Sequence, residues 1–215
     1  MSDIGLFDID RFTPHVGAIL GLIAGLIGWW INRLLARARA LAAPRLGLPA
    51  ALATALVAAV ALGRAGFGPH GFALVAMAGI GGAILAFDLD HRRIPNEWSV
   101  ATAALGLVDA VATGRGWQGL ATGIGGAAFL WAFGAAYAWV RGREGLGLGD
   151  VKLVAGLGIW LGPVGLALCF MGASLVTVVF ALGFLALRRL ADDPPFGPGL
   201  VSAMLLLLVS GIAPI

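Results

Sequence analysis

The apolar stretch GFALVAMAGIGGAILAF, residues 71–87, ends at the charged segment DLDHRRIPN, residues 88–96. An uncharged run of this kind is typical of a helix that crosses a bilayer, because about 20 apolar residues span a hydrocarbon core ~30 Å thick. Pro95 has no backbone N–H and cannot continue the helix without loss of a hydrogen bond. The stretch therefore predicts a membrane span that places Asp88 at its mouth.

Composition extends this prediction to the whole chain. Of its 215 residues, 60% are apolar and 12% are charged, whereas a soluble domain carries about 25% charged residues. The 34 glycines would weaken soluble helices but suit close helix packing in lipid. We therefore predict an all-α, polytopic membrane helix bundle that forms a single integral-membrane domain over residues 1–215.

Glycine and proline residues divide the apolar sequence into eight predicted spans. The spans cover residues 15–34, 48–63, 71–87, 97–113, 117–140, 151–161, 164–187 and 198–214. The region 151–187 is too long for one upright helix and short for two. The turn signal Gly162-Pro163-Val164-Gly165 in its middle favours two helices, with the first one short.

The distribution of basic residues tests this division, since cytoplasmic loops of membrane proteins carry an excess of Lys and Arg. With the N-terminus outside, 11 of the 14 basic residues lie inside, and the outer segments hold only Arg11, Arg64 and Arg115. Joining residues 151–187 into one span would move Arg188 and Arg189 outside and give 9 against 5. Eight spans fit better and place both aspartate-bearing loops on the cytoplasmic side. Because the arginines are scattered between apolar runs, they indicate topology and no nucleic-acid partner.

A second carboxylate, Asp150, ends the glycine-rich segment GLGLGD, residues 145–150, and precedes the apolar run 151–160. No predicted strand accompanies the segment, so it is not a dinucleotide-binding fingerprint. Glycines let a backbone approach a ligand closely, and Asp150 would begin a helix, where exposed amides favour a carboxylate. Alone, this fits a simple helix cap equally well. Asp88 on the same membrane face favours a functional pair, since charges at the edge of lipid are costly.

Two carboxylates that meet can divide the work of peptide hydrolysis between them. They share a proton, because they cannot both ionise cheaply. The ionised member can activate water while the protonated member polarises a peptide carbonyl, with no metal and no cofactor. Asp90 follows Asp88 by two positions, so helical geometry points it to a different face. We interpret Asp90 as a solvated residue outside the pair.

Two motifs carry a family resemblance. Asp88 with Ile94-Pro95-Asn96, together with Gly147-Leu148-Gly149-Asp150-Val151-Lys152, resembles the paired motifs of the type IV prepilin peptidases, membrane aspartyl proteases with a Gly-x-Gly-Asp signature. Residues 21–34 and 195–198 are similar to the first span and the closing segment of that family. The resemblance therefore covers nearly all of the chain.

The resemblance implies an intramembrane-type aspartyl endopeptidase with eight helices in the bacterial cytoplasmic (inner) membrane, its site facing the cytoplasm. It implies that Asp88 and Asp150 are catalytic and that no metal is bound. Substrate-binding or supporting roles fall to Gly147, Gly149, Lys152, Pro95 and Asn96. The partners it implies are the lipid bilayer and prepilins or pseudopilins of type IV pili or type II secretion, cleaved after a basic leader.

One departure from the family concerns the connection between the first two spans. Many bacterial members carry an insert there with paired Cys-x-x-Cys motifs, associated with zinc and with N-methylation of the cleaved product. Here the interval is residues 35–50 and holds no cysteine, and the only cysteine of the chain, Cys169, lies in an apolar run. We therefore expect peptidase activity without N-methyltransferase activity.

Two other functions remain open from the residues alone. A proton-coupled small membrane transporter would use its acids as a relay inside the membrane, yet Asp88 and Asp150 lie at span ends. Only Asp109 lies well inside a predicted span. An Asp-dependent, metal-binding membrane transferase would use Asp88 and Asp90, but it would need more acids or histidines on the inner face.

Overall fold

The computed structural model describes residues 9–42, 45–142, 146–186 and 196–210, and these ranges are helical and contain no β-strand. Five of the helices are long and apolar enough to cross a membrane. The helices are α1 (Ile9–Ala38), α2 (Gly47–Ala65), α3 (Pro69–His91), α4 (Asn96–Ala112), α5 (Gly116–Arg141), α6 (Leu148–Ala186) and α7 (Phe196–Ser210). The prediction of an all-α membrane bundle is confirmed.

α6 contains the break that the sequence predicts after residue 161. Gly162 has φ 67° and ψ −178°, a conformation that residues with a Cβ rarely adopt, and Pro163 has no N–H to donate. α6 is thus two helices, and the described helical segments number eight, as predicted. The segment before the break is about 21 Å long at 1.5 Å per residue, less than the thickness of the hydrocarbon core. Arg188 and Arg189, used in the topology argument, lie outside the described residues.

α3 extends beyond the predicted end of its span. The sequence prediction ended the span at residue 87, but the helix continues to His91. It closes on Arg92, which has a left-handed φ of 51° and donates its N–H to the carbonyl oxygen of Asp88 at 2.7 Å. The charged residues did not end the helix, because a side chain at the edge of lipid can reach water from a helical backbone. Asp88 therefore lies on the last helical turn and not in a loop.

α3 and α6 form the centre of the bundle. α3 packs against α1, α2, α4 and α7, and α6 packs against α4, α5 and α7. Small residues allow these approaches: a Cβ on Gly82 of α3 would overlap Thr54 Oγ1 of α2, and one on Gly158 of α6 would lie 2.7 Å from Gly123 Cα of α5. The abundant glycines thus serve close helix packing, as they do in lipid.

The outer surface of the bundle is apolar. Leu56 of α2, Val108 of α4 and Ile124 of α5 are about two-thirds exposed. A contiguous apolar surface of this kind would promote aggregation in water. In a bilayer the same side chains contact lipid tails, which are equally apolar. Together with the length of the helices, this surface makes this chain a membrane protein.

Candidate active site

The two central helices each contribute one carboxylate at the same end of the bundle. Asp88 lies on the last turn of α3 and is buried, with 4% of its surface exposed. Asp150 lies on the first turn of α6 and is half-buried. Its backbone N–H donates to the carbonyl oxygen of Gly147 at 3.1 Å. Both acids therefore lie at the ends of helices that pack in the centre of the bundle.

Asp88 and Asp150 meet at a glycine of a third helix. A Cβ built on Gly197, in the first turn of α7, would overlap Asp88 Oδ2 and lie 3.1 Å from Asp150 Oδ1. Asp88 is also close enough to act electrostatically on Asp150. We call Asp88 and Asp150 the aspartate pair. Only a hydrogen atom fits on Gly197 between them and the α7 backbone.

The residues predicted to support the pair lie around it. Pro95 is buried and precedes α4, and its carbonyl oxygen accepts a hydrogen bond from the backbone N–H of Trp98 at 3.1 Å. A Cβ on Gly149 would lie 3.4 Å from Ile94 Cβ, so the glycine-rich segment packs on the Ile94-Pro95-Asn96 segment. The two sequence motifs therefore lie against each other at Gly149 and Ile94.

A side-chain hydrogen bond joins the same two segments at the surface. Lys152 Nζ donates to Asn96 Oδ1 at 3.0 Å. Lys152 follows Asp150 by two residues, a spacing that directs two helical side chains to different faces. Lys152 and Asn96 therefore link the beginning of α6 to the beginning of α4 beside the aspartate pair.

Comparison with protein-family models matches residues 73–182 to the type IV leader peptidase family. The matched region covers about half of the chain and includes the aspartate pair and all five predicted supporting residues. The chain belongs to the type IV leader peptidase family. The resemblance inferred from the two sequence motifs is confirmed. Gly197 lies outside the matched region.

Curated relatives of this family member carry the name prepilin leader peptidase/N-methyltransferase. The relative from Aeromonas salmonicida is 33% identical over 133 residues, which are 60% of this chain and 46% of the relative. Those from Xanthomonas campestris pv. campestris and Pseudomonas aeruginosa are each 32% identical, over 71% and 74% of this chain and 54% and 57% of their own lengths. The chain thus spans about half the length of the curated relatives it matches. No solved structure matches.

A buried polar contact near the aspartate pair was not predicted. Asn32 of α1 is fully buried, donates from Nδ2 to the carbonyl oxygen of Ala83 at 2.8 Å and accepts from Trp98 Nε1 at 2.8 Å. It joins α1, α3 and α4, and its partner Ala83 lies five residues before Asp88 on α3. Buried polar groups of this kind must be hydrogen-bonded, and an asparagine near the end of an apolar span was the only available sequence signal.

The remaining acids have partners of their own. Asp90 is half-buried, and one of its carboxylate oxygens accepts a hydrogen bond from the Arg45 N–H at 2.7 Å. Asp90 therefore attaches α3 to the connection between α1 and α2 and is not simply solvated, which corrects the prediction. Within the described ranges no group of three or more His, Cys, Asp or Glu residues could hold a metal ion.

Asp109, the acid that a transporter would need, lies near the other end of the bundle. Its carboxylate is bound by His70 Nδ1 at 2.9 Å, by Arg115 Nη2 at 3.3 Å and by Trp160 Nε1 at 3.2 Å. These contacts join α3, α4, the beginning of α5 and α6. Asp109 therefore holds several helices together through its hydrogen bonds and is separate from the aspartate pair.

Proposed function

We propose that this member of the type IV leader peptidase family is an aspartic endopeptidase that removes the basic leader from type IV prepilins or pseudopilins. The observation that carries the proposal is the approach of Asp88 and Asp150, from two different helices, to Gly197 at one end of the bundle. The printed name of the relatives supports the substrate class. Neither the transporter nor the transferase accounts for a pair of acids at this place.

The proposed reaction uses the aspartate pair as one unit. The ionised carboxylate takes a proton from a water molecule while the water oxygen attacks the carbonyl carbon of the scissile peptide, and the protonated carboxyl donates to the carbonyl oxygen. In the second step the C–N bond breaks. The leaving nitrogen receives the proton taken from water, and the diol returns a proton to the other aspartate. The leader leaves with a carboxyl end and the mature protein with an amine.

The supporting residues would hold this geometry. Gly147 and Gly149 let the backbone lie close to Asp150 and to Ile94, respectively. Pro95 and the bond between Lys152 and Asn96 would fix the beginning of α4 against the beginning of α6. A shift of 1 Å in reacting groups can cost about 10²-fold in rate, so we assign these residues a positioning role.

The proposal covers peptidase activity alone. α1 ends at Ala38 and α2 begins at Gly47, and the connection between them has no cysteine. The cysteine pairs that accompany methylation in many family members are therefore missing at their usual place. The single Cys169 is buried in α6.

Cleavage is expected to survive chelation. The electrophilic assistance in the proposed reaction comes from a protonated carboxyl, so purified protein treated with EDTA should cleave a leader-bearing prepilin within about twofold of its untreated rate. The cleavage rate should fall at both low and high pH. Both falls report the titration of the two coupled carboxyl groups together and cannot be assigned to one residue. Loss of cleavage with EDTA, restored by a divalent ion, would favour the metal-dependent transferase chemistry instead.

We further propose that the protein lies in the bacterial cytoplasmic membrane with the aspartate pair on the cytoplasmic side. Arg39, Arg92 and Arg141 all follow or end helices at the end of the bundle that carries the pair. Excess basic residues mark the cytoplasmic end of membrane helices. The proposed substrate, with its basic leader, would meet the enzyme from that side.

Thiol labelling checks this orientation. In a Cys169→Ala background, Arg93→Cys is expected to react with a membrane-impermeant maleimide only in inside-out vesicles, because Arg93 is exposed in the connection between α3 and α4, at the end of the bundle that carries the pair. Trp117→Cys, at the opposite end of the bundle and 83% exposed, should react only in intact spheroplasts. Labelling of Arg93→Cys in spheroplasts would refute the cytoplasmic site.

A further inference from the structure

An apolar groove opens beside the aspartate pair. One wall is the inner half of α5, where Gly134, Ala135 and Ala138 line the cavity below Trp131. The other wall is the start of α6 and the segment before it. Its lining residues are Leu146, Leu148 and Val151. The two walls approach each other at Gly134, where a Cβ would lie 3.2 Å from Leu146 Cβ.

The apolar groove reaches Val151, the residue next to Asp150. Val151 follows Asp150 directly, and Leu148 and Val151 are three residues apart, on one face of α6. Asp150 is rotated by about 100° from Val151 around a helix of 3.6 residues per turn. A substrate chain that leaves the groove at Val151 therefore has to pass only one residue of α6 to bring a peptide bond to Asp150.

The α5 wall has the properties of an unoccupied helix-packing surface. Among the described residues α5 packs only against α4 and α6. Leu146 already lies against Gly134, whereas Ala135 and Ala138, three residues apart on one face of α5, line the open part of the wall. Small residues on a helix face let another helix approach closely in a membrane. The cavity has a volume of about 190 Å³, and an apolar cavity of about 150 Å³ accepts a benzene molecule. It can hold one large apolar side chain.

We propose that the apolar groove binds the membrane helix of the substrate, with one large apolar side chain inserted between α5 and α6, and thereby delivers the adjoining leader junction to the aspartate pair. This inference rests on the proposed function. The occupant follows from the place of the groove: it is open to lipid and adjoins Asp150, and the proposed substrate is an apolar helix joined to a basic segment cleaved at their junction.

Filling the groove tests the proposal kinetically. Ala135→Phe places a ring in the cavity, and Ala135 is already exposed, so the variant should fold. We expect its KM for a full-length prepilin to rise roughly tenfold or more, the effect of excluding one buried large apolar side chain, with kcat within about twofold. Ala136→Phe is the matched control: Ala136 is the next residue of α5, also exposed, and does not line the groove. Its KM should equal that of the wild type.

Photocrosslinking identifies the occupant directly. In the inactive Asp150→Asn background, benzoylphenylalanine at position 135 should crosslink to the apolar helix of an added prepilin, and the same group at position 136 should not. An unchanged KM in Ala135→Phe, equal crosslinking from both positions, or crosslinks from position 135 only to lipid or to a second copy of the protein would each overturn the groove assignment. If the wild-type protein cleaves prepilin in those experiments, the proposed function stands even when the groove assignment fails. If the wild type cleaves no prepilin, both fall.

Discussion

Asp88→Asn and Asp150→Asn are each expected to lower kcat for leader cleavage by about 10⁴-fold or more, the size of loss seen when one member of a catalytic unit is removed. An amide has nearly the shape of a carboxylate but cannot exchange the proton that each step requires. Folding should be retained, since the substitution adds no volume to the buried site of Asp88. Rates measured with purified variants at equal folded concentration check this expectation.

The double variant Asp88→Asn/Asp150→Asn should lose little more activity than either single variant, because residues that act as one unit are grossly non-additive. Asp90→Asn is the matched control. Asp90 follows Asp88 by two residues on α3, and its carboxylate accepts a hydrogen bond from the Arg45 N–H. An amide oxygen can keep this hydrogen bond, so kcat of Asp90→Asn should stay within a few fold of the wild-type value. Wild-type rates in either single variant at the pair would remove that residue from the mechanism.

Gly197→Ala is expected to lower kcat by about 10²-fold or more. Its methyl group would overlap Asp88 Oδ2 and lie 3.1 Å from Asp150 Oδ1, so at least one carboxylate must move. Displacement of a reacting group by about 1 Å costs a loss of this order. Steady-state cleavage of a prepilin by the purified variant measures the effect.

Gly199→Ala separates a local effect at the aspartate pair from a general effect on α7. Its Cβ would lie 2.6 Å from Thr177 Oγ1 and 2.8 Å from the carbonyl oxygen of Ala173, a comparable crowding against α6 away from the pair. Gly199→Ala should lower the thermal unfolding temperature but leave kcat per folded molecule within a few fold. Equal kcat losses in the two variants would mean that crowding of α7, and not of the pair, accounts for the result.

The helices of this protein could be predicted closely because lipid imposes a single strong pattern on the sequence. Runs of apolar residues gave the spans, and Gly162-Pro163 gave the break in α6, since both residues act on their own backbone. The end of α3 differs from the prediction, because the charged residues 88–91 continue the helix and do not form a loop. In the structure the left-handed Arg92 ends the helix one turn later.

The aspartate pair could be proposed from sequence because each acid lies beside a recognisable local motif. The role of Gly197 could not be predicted from the sequence, because it depends on contacts with side chains of two other helices. The same holds for Asn32, whose partners lie on α3 and α4, and for the apolar groove, whose walls are separate in sequence. Local chemistry is readable from one segment, whereas contacts between segments need the fold.

The most direct measurement for the central claim is the intact mass of a purified prepilin after incubation with the purified protein in lipid vesicles. The account predicts two products, the leader and the mature protein, whose masses sum to that of the substrate plus one water. With the Asp88→Asn/Asp150→Asn variant only the intact substrate should appear. Cleavage by that variant at the wild-type rate, or an unchanged substrate with the wild-type protein, would contradict the account.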